Sequence, residues 1–212
     1  STQGEGTIPV GQDGTALMNC VLWMDMRGAP YLKKQFKGRI NWDGLGIGNL
    51  PRWLRLTGGM PSATGKDPAA HMLFIRDFFP EIYDRTYKFL NVLDYLNLRL
   101  TGRFAATFDS ILTSWVTDNR DPDAIRYDTE LVRRCGIERD KLPEVVPCTC
   151  SLGPLQDKVA DELGLPRTVQ VQPDGRIRIE NSQAAIGKRD APHFTDAGAV
   201  VAAEKVQRTP SL

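Results

Sequence analysis

Neither sign of charge dominates this sequence: 27 Lys and Arg face 26 Asp and Glu, for a formal charge of +1 over 212 residues. A chain so balanced has no general field with which to hold a polyanion or gather on an anionic bilayer, so neither nucleic acid nor membrane is expected as a partner. Long apolar runs are also missing, and nothing approaches the roughly 20 residues that span a bilayer. The opening Ser1-Thr2-Gln3-Gly4-Glu5 has neither the basic nor the apolar region of a secretion signal, and a soluble, cytoplasmic protein is expected. Cysteine is sparse: Cys20, Cys135, Cys148 and Cys150 are too few for a secreted disulfide scaffold, so reduced thiols are expected. Only two histidines exist, His71 and His193, and neither stands at zinc-finger spacing from Cys148-Thr149-Cys150, so no metal site is expected.

A hydrophobic content of 41% over this length suits one main globular unit. The run from Ala16 to Asp25 is almost continuously apolar and ends in a charge, which predicts a central strand covered on both faces. Gly11-Gln12-Asp13-Gly14 before it reads as a turn, with Thr7 to Val10 as the other arm of a hairpin. Helical rhythm marks Leu50 to Leu56, Pro68 to Phe79, a segment opened by Pro80 and continued through Tyr83, Tyr87 and Leu90, then Asp94 to Gly102 and Asp109 to Thr117. Further helices are predicted over Asp128 to Arg134, stopped near Gly136, and over Pro154 to Leu163, stopped at Gly164. Short strands are expected near Val145 and Val169. Trp23 is expected in the core, His71 on a helix surface or satisfied inside, and Asp94, Arg99 and Asp109 as helix caps or loop anchors. Lys33, Lys34, Lys37 and Arg39 read as a solvated face.

Asp94-Tyr95-Leu96-Asn97-Leu98-Arg99-Leu100-Thr101-Gly102 resembles the D-Y-L-x-x-R-L-T-G segment of the FGGY carbohydrate kinases. Other segments resemble that family in the same order. Gln3-Gly4-Glu5-Gly6 is similar to its G-Q-x-x-G sugar loop, Val21 to Arg27 to its I-L-W-x-D-x-R strand end, and Leu56 to Pro61 with Lys66 to its T-G-x-P…K passage. The Pro80-Glu81 helix start, Asp109-Ser110, Leu142-Pro143-Glu144-Val145 and Gly153 to Pro166 continue the series, and the wording is nearest to xylulokinase-like members.

The resemblance implies an α/β fold of the actin-like, ribonuclease-H-like ATPase kind, a mixed sheet flanked by helices. It implies an incomplete first, sugar-binding domain over 1–171 and a divergent segment over 172–212. The implied reaction moves the γ-phosphoryl of ATP to a sugar hydroxyl, with Mg²⁺ neutralising phosphate charge. The small-molecule substrate would be xylulose or a related ketopentose or polyol. The implied sugar contacts are Gln3, Gly4, Glu5, Gly6, Asp25 and Arg27. For the catalytic base, counting forward from Val171 favours Asp174, and counting back from Ala184-Ala185-Ile186-Gly187 favours Glu180 or Asn181; Asp174-Gly175 also reads as a plain hairpin turn. The family's opening D-x-G-T strand and its adenosine-side motif have no counterpart here. ATP and Mg²⁺ therefore belong to the complete enzyme, and tight binding of either by this chain is not expected. A missing strand implies an open sheet edge, hence a homo-oligomer or a missing second domain. The alternative is a non-catalytic sugar-binding or assembly module on half of the kinase fold.

Overall fold

The computed structural model describes residues 5–173 and 177–178. Gly6–Val10 (β1) is the strand around which the first half is built, and all five of its residues are buried. It lies between Val21–Leu22 (β2) and Lys88–Leu90 (β5), antiparallel to both. The hairpin expectation is met, but the predicted long strand from Ala16 to Asp25 is not: apart from a single bridge between Ala16 and Val10, only Val21–Leu22 forms a strand. The reason is exposure. Val21 is 2% accessible, whereas Trp23 and Met24 are 40% and 58% accessible, so the run that read as buried on both faces has turned into a surface loop after one buried residue.

Ala29–Gln35 (α1), a small hairpin of Asn41–Trp42 (β3) and Leu45–Gly46 (β4), and Leu50–Thr57 (α2) follow. Pro68–Phe78 (α3) is the central helix, buried continuously from Pro68 to Ile75. Pro80–Arg85 (α4) ends before the predicted continuation to Leu90. There Thr86 Oγ1 donates to the Ile82 carbonyl at 2.7 Å, and the Tyr87 amide turns to the Val10 carbonyl at 2.8 Å. Phe89 and Leu90 are buried more completely as β5, beside β1, than a surface helix would allow.

Val92–Thr101 (α5) stops at Gly102, whose φ of 77° is the left-handed closure that a side chain resists. Ala105–Thr107 (β6) runs parallel to Glu144–Val146 (β9). Between them lie Phe108–Ile111 (α6), one turn of tighter helix over Leu112–Ser114, the antiparallel pair Thr117–Asp118 (β7) and Arg126–Tyr127 (β8), and Thr129–Cys135 (α7). The predicted helix from Asp109 to Thr117 therefore breaks early, at Trp115, which holds a left-handed φ of 58°. Asp128 caps α7 through its carboxylate, accepting from the Leu131 amide at 2.8 Å, and Gly136 closes it. Gly153–Pro154 (β10), Asp157–Leu163 (α8), Gln170–Val171 (β11) and Ile177–Arg178 (β12) complete the described chain.

The main core packs Leu32, Trp53, Leu73, Phe89, Leu131 and Leu142 between the helices and the β1 sheet. All four cysteines are free. Cys148 is exposed and donates to Asp109 Oδ1 at 3.2 Å, while burial pushes the Cys135 thiol far up. Among the described residues no helix is long and apolar enough to cross a membrane.

Candidate functional site

The pairing of β1 with β2 fixes the site. Gly6 stands opposite Leu22, so Glu5, just before one strand, and Trp23, just after the other, leave the sheet at the same end. Glu5 takes a left-handed φ of 55° there. Partial burial, reinforced by the nearby Asp67 carboxylate, raises its pKa above the usual carboxylate range.

Beyond Trp23 the loop is held by its own charges. Arg27 grips the Asp25 carboxylate with two nitrogens, Nε to Oδ2 at 2.9 Å, and the Arg27 amide donates to Oδ1 at 2.9 Å. The pair lowers the Asp25 pKa, chiefly through those Arg27 hydrogen bonds. The Arg27 guanidinium also lies over the Phe74 ring, 4.7 Å from its centroid. Because the Arg27 side of this ion pair is exposed to solvent, the pair orders the loop and adds little stability.

His71 ties the loop to the sheet. It is 1% accessible; Nε2 lies 3.1 Å from the Asp25 main-chain oxygen and Nδ1 3.2 Å from Thr7 Oγ1. A carbonyl only accepts, so Nε2 carries the proton, Nδ1 is bare, and the Thr7 hydroxyl donates to it. Burial lowers the His71 pKa, in keeping with that neutral tautomer.

The loop from Ser62 to Asp67 forms the opposite side. Asp67 is a buried carboxylate whose pKa is raised by desolvation, although Trp115 Nε1 donates to it at 2.8 Å and the Ser62 amide at 2.5 Å. Gly65 seats this loop on the start of α1: its φ is 72°, and a Cβ there would lie 2.0 Å from the Ala29 nitrogen. Lys66 reaches over the Trp23 ring at 5.9 Å. Trp23, expected in the core, instead offers an exposed ring face beside two carboxyl groups, an ammonium and an ion pair. That is the inventory a polyhydroxylated ligand meets: an apolar face for C–H groups and charged acceptors and donors for hydroxyls.

Of the residues named from the sequence, Glu5, Gly6, Asp25 and Arg27 converge at this end of β1 and β2, while Gln3, Gly4, Asp174 and Glu180 lie outside the described residues. Thr7, Asp67 and Trp115 were not singled out. The only sequence signal for Asp67 was its place before Pro68 at a helix start. Asp94 lies in the first turn of α5 and is tied to the Asn91 and Thr107 backbone and to Ser110, whose Oγ donates to Oδ2 at 2.5 Å; the unexpected feature is its depth, 1% accessible. Desolvation raises its pKa to about 7.

The profile of the FGGY family of carbohydrate kinases, N-terminal domain, matches residues 1–176. The chain belongs to that family. It is 25% identical over 187 residues to the xylulose kinase of Staphylococcus xylosus, covering 88% of this chain and 35% of that protein. It is 28% identical over 165 residues to the erythritol kinase of Brucella abortus, covering 77% of this chain and 29% of the relative. Among solved structures, a xylulose kinase from Brucella ovis superposes with a TM-score of 0.66 at 22% identity, over 81% of this chain and 32% of that one. The ligand-bound xylulose kinase from Lactobacillus acidophilus gives a TM-score of 0.65 at 20% identity, over 82% and 34%. These neighbours establish the actin-like fold of the FGGY kinases. This chain spans roughly a third of the length of the relatives it matches.

Proposed function

We propose that this chain is the sugar-holding lobe of a carbohydrate kinase acting on a ketopentose such as xylulose, or on a related polyol. The observation that carries this is the Gly6–Leu22 register, which sets Glu5 and Gly6 beside the Trp23 to Arg27 loop at one end of the sheet. In this reading Glu5 and Asp67 accept hydrogen bonds from sugar hydroxyls, Trp23 packs on the C–H face, and Asp25 with Arg27 shapes the wall. Gln3 and Gly4, next to Glu5 in sequence, are taken as further sugar contacts. The domain boundary near residue 171 belongs to this proposal as well.

Phosphoryl transfer from ATP to a sugar hydroxyl needs a base within reach of that hydroxyl and positive charge at the phosphates. Asp174 and Glu180 remain the candidates for the base. The described residues include no group of three or more His, Cys, Asp or Glu side chains able to hold a metal ion, so no step through Mg²⁺ or ATP is assigned to them. Nucleotide binding falls to a lobe outside this chain, and a homo-oligomer or a separate second domain would complete the cleft.

The test pairs titration calorimetry with a coupled ADP assay. Saturable ketopentose binding, lost in Glu5→Ala with the fold retained, and no sugar-dependent ADP release from this chain alone are expected. Robust turnover would overturn the division into lobes. Sugar binding with no ADP release even when a nucleotide-binding lobe is supplied would favour the non-catalytic module.

A further inference from the structure

Asp94 is the most deeply buried carboxyl among the described residues, and the sugar site does not use it. The Asn91 and Thr107 backbone and the Ser110 side chain hold its carboxyl group. Asn91 Nδ2 donates to Ser110 Oγ at 2.9 Å, and Ser110 Oγ donates to Asp94 Oδ2 at 2.5 Å. Oδ1 meets no hydrogen-bonding partner among the described residues. Asp94 lines a cavity of about 10 Å³ whose walls are mostly apolar but include Thr7, Asn91 and Ser114, which is the room one water needs. An oxygen buried without a partner is costly, so the few polar groups of this mostly apolar cavity, Asp94 and Thr7 among them, give a small polar ligand its hydrogen-bonding partners.

Thr7 connects this cavity to the loop described above. Its hydroxyl proton is committed to His71 Nδ1, and His71 Nε2–H is committed to the Asp25 carbonyl. The lone pairs of Thr7 Oγ1 are therefore left to accept a proton from the cavity side.

We infer that the cavity binds one water molecule, which joins Asp94 to Thr7 and completes a buried hydrogen-bonded relay from the α5–α6 junction to the loop that carries Asp25 and Arg27. Every donor in it points the same way: Asp94 carboxyl to water, water to Thr7 Oγ1, Thr7 to His71 Nδ1, and His71 Nε2–H to Asp25 O. The order requires a proton on Asp94; desolvation favours it by raising the pKa to about 7, while the hydrogen bonds from Ser110, Thr107 and Asn91 favour the ionised form. The other ionisable groups that act on it are Asp109, which favours the protonated form, and the Tyr127 phenol. At the far end, Asp25, Asp67 and Arg27 act on His71. The relay goes beyond the sugar reading, and only its bearing on ligand affinity rests on that reading.

The primary experiment is a crystal structure of the whole chain at a resolution that shows ordered water. One water within hydrogen-bonding distance of Asp94 Oδ1 and Thr7 Oγ1 is expected. A dry cavity, or a protein donor on Oδ1, would overturn the inference. The second is hydrogen exchange at the amides of Asp25 to Arg27 in Thr7→Val and Thr7→Ser. Losing one buried hydrogen bond, worth about 1 kcal/mol, predicts about fivefold faster exchange in Thr7→Val and near-normal exchange in Thr7→Ser. Equal rates in all three proteins would overturn it. A chain that shows the water and the Thr7 effect but binds no ketopentose supports the relay and counts against the sugar reading.

Discussion

Trp115 Nε1 donates to Asp67 Oδ1 at 2.8 Å across 48 positions of sequence, and this contact holds the Ser62 to Asp67 loop against the helical layer. Replacing Trp115 by Phe keeps the ring and deletes the donor. A buried carboxylate then loses its side-chain partner, at a cost of roughly 1–3 kcal/mol. Urea unfolding of Trp115→Phe should show that loss, with the Asp67 carboxyl titrating at higher pH than in the wild type when followed by NMR.

Asp94 sets the pH dependence of stability. Its folded-state pKa, about 7, lies above its unfolded value near 3.9, so the native state binds the proton more tightly. Its contribution is fully present below about pH 4 and is lost as pH rises through about 7. Because the group is deeply buried, the loss is on the order of a few kcal/mol. Urea midpoints should fall from pH 5.5 to pH 8 in the wild type. They should stay nearly level in Asp94→Asn, which carries no proton to lose and should be the more stable of the two at pH 8.

Gly65→Ala tests the seating of the loop. The left-handed φ and the 2.0 Å approach to the Ala29 nitrogen leave no room for a methyl group. A loss of more than about 2 kcal/mol is expected, combining backbone strain with displacement of the loop. Melting curves together with near-ultraviolet dichroism of the tryptophans would record both effects.

Two tryptophans separate site from core. Trp53 is 1% accessible and its Nε1 donates to the Trp115 carbonyl at 2.9 Å, so Trp53→Ala should cost about 3–5 kcal/mol. Trp23 is exposed, so Trp23→Ala should move stability by no more than about 0.5 kcal/mol while abolishing ketopentose binding. Parallel unfolding and calorimetric titrations of both variants check the contrast.

What was legible in the sequence followed from local rules. A helix was legible from Asp128 onward, and Gly102, Gly136 and Gly164 announced helix ends; in the structure Asp128 caps α7 and each glycine closes its helix. Apolar count misled where it could not tell burial from exposure: the Ala16 to Asp25 run looked like a two-sided strand, yet its Leu22, Trp23 and Met24 face solvent. Tyr87 to Leu90 continued a helical rhythm but was captured by β1, a choice made by a partner about 80 positions away. The site divides in the same way. Asp25 and Arg27 are neighbours in sequence and could be paired by inspection, whereas the bonds from His71 to Thr7 and to Asp25 cross 64 and 46 positions. Nothing local to Asp67 or Asp94 signals the burial that sets their pKa values.

The most direct test of the sugar-holding lobe is amide chemical-shift mapping of this chain during titration with D-xylulose and a panel of other ketopentoses. The account predicts saturable shifts concentrated at Glu5 to Thr7, Trp23 to Arg27 and Lys66 to Asp67, and their disappearance in Trp23→Ala. Saturable shifts centred on another face of the molecule, or none with any ketopentose on a folded chain, would contradict it.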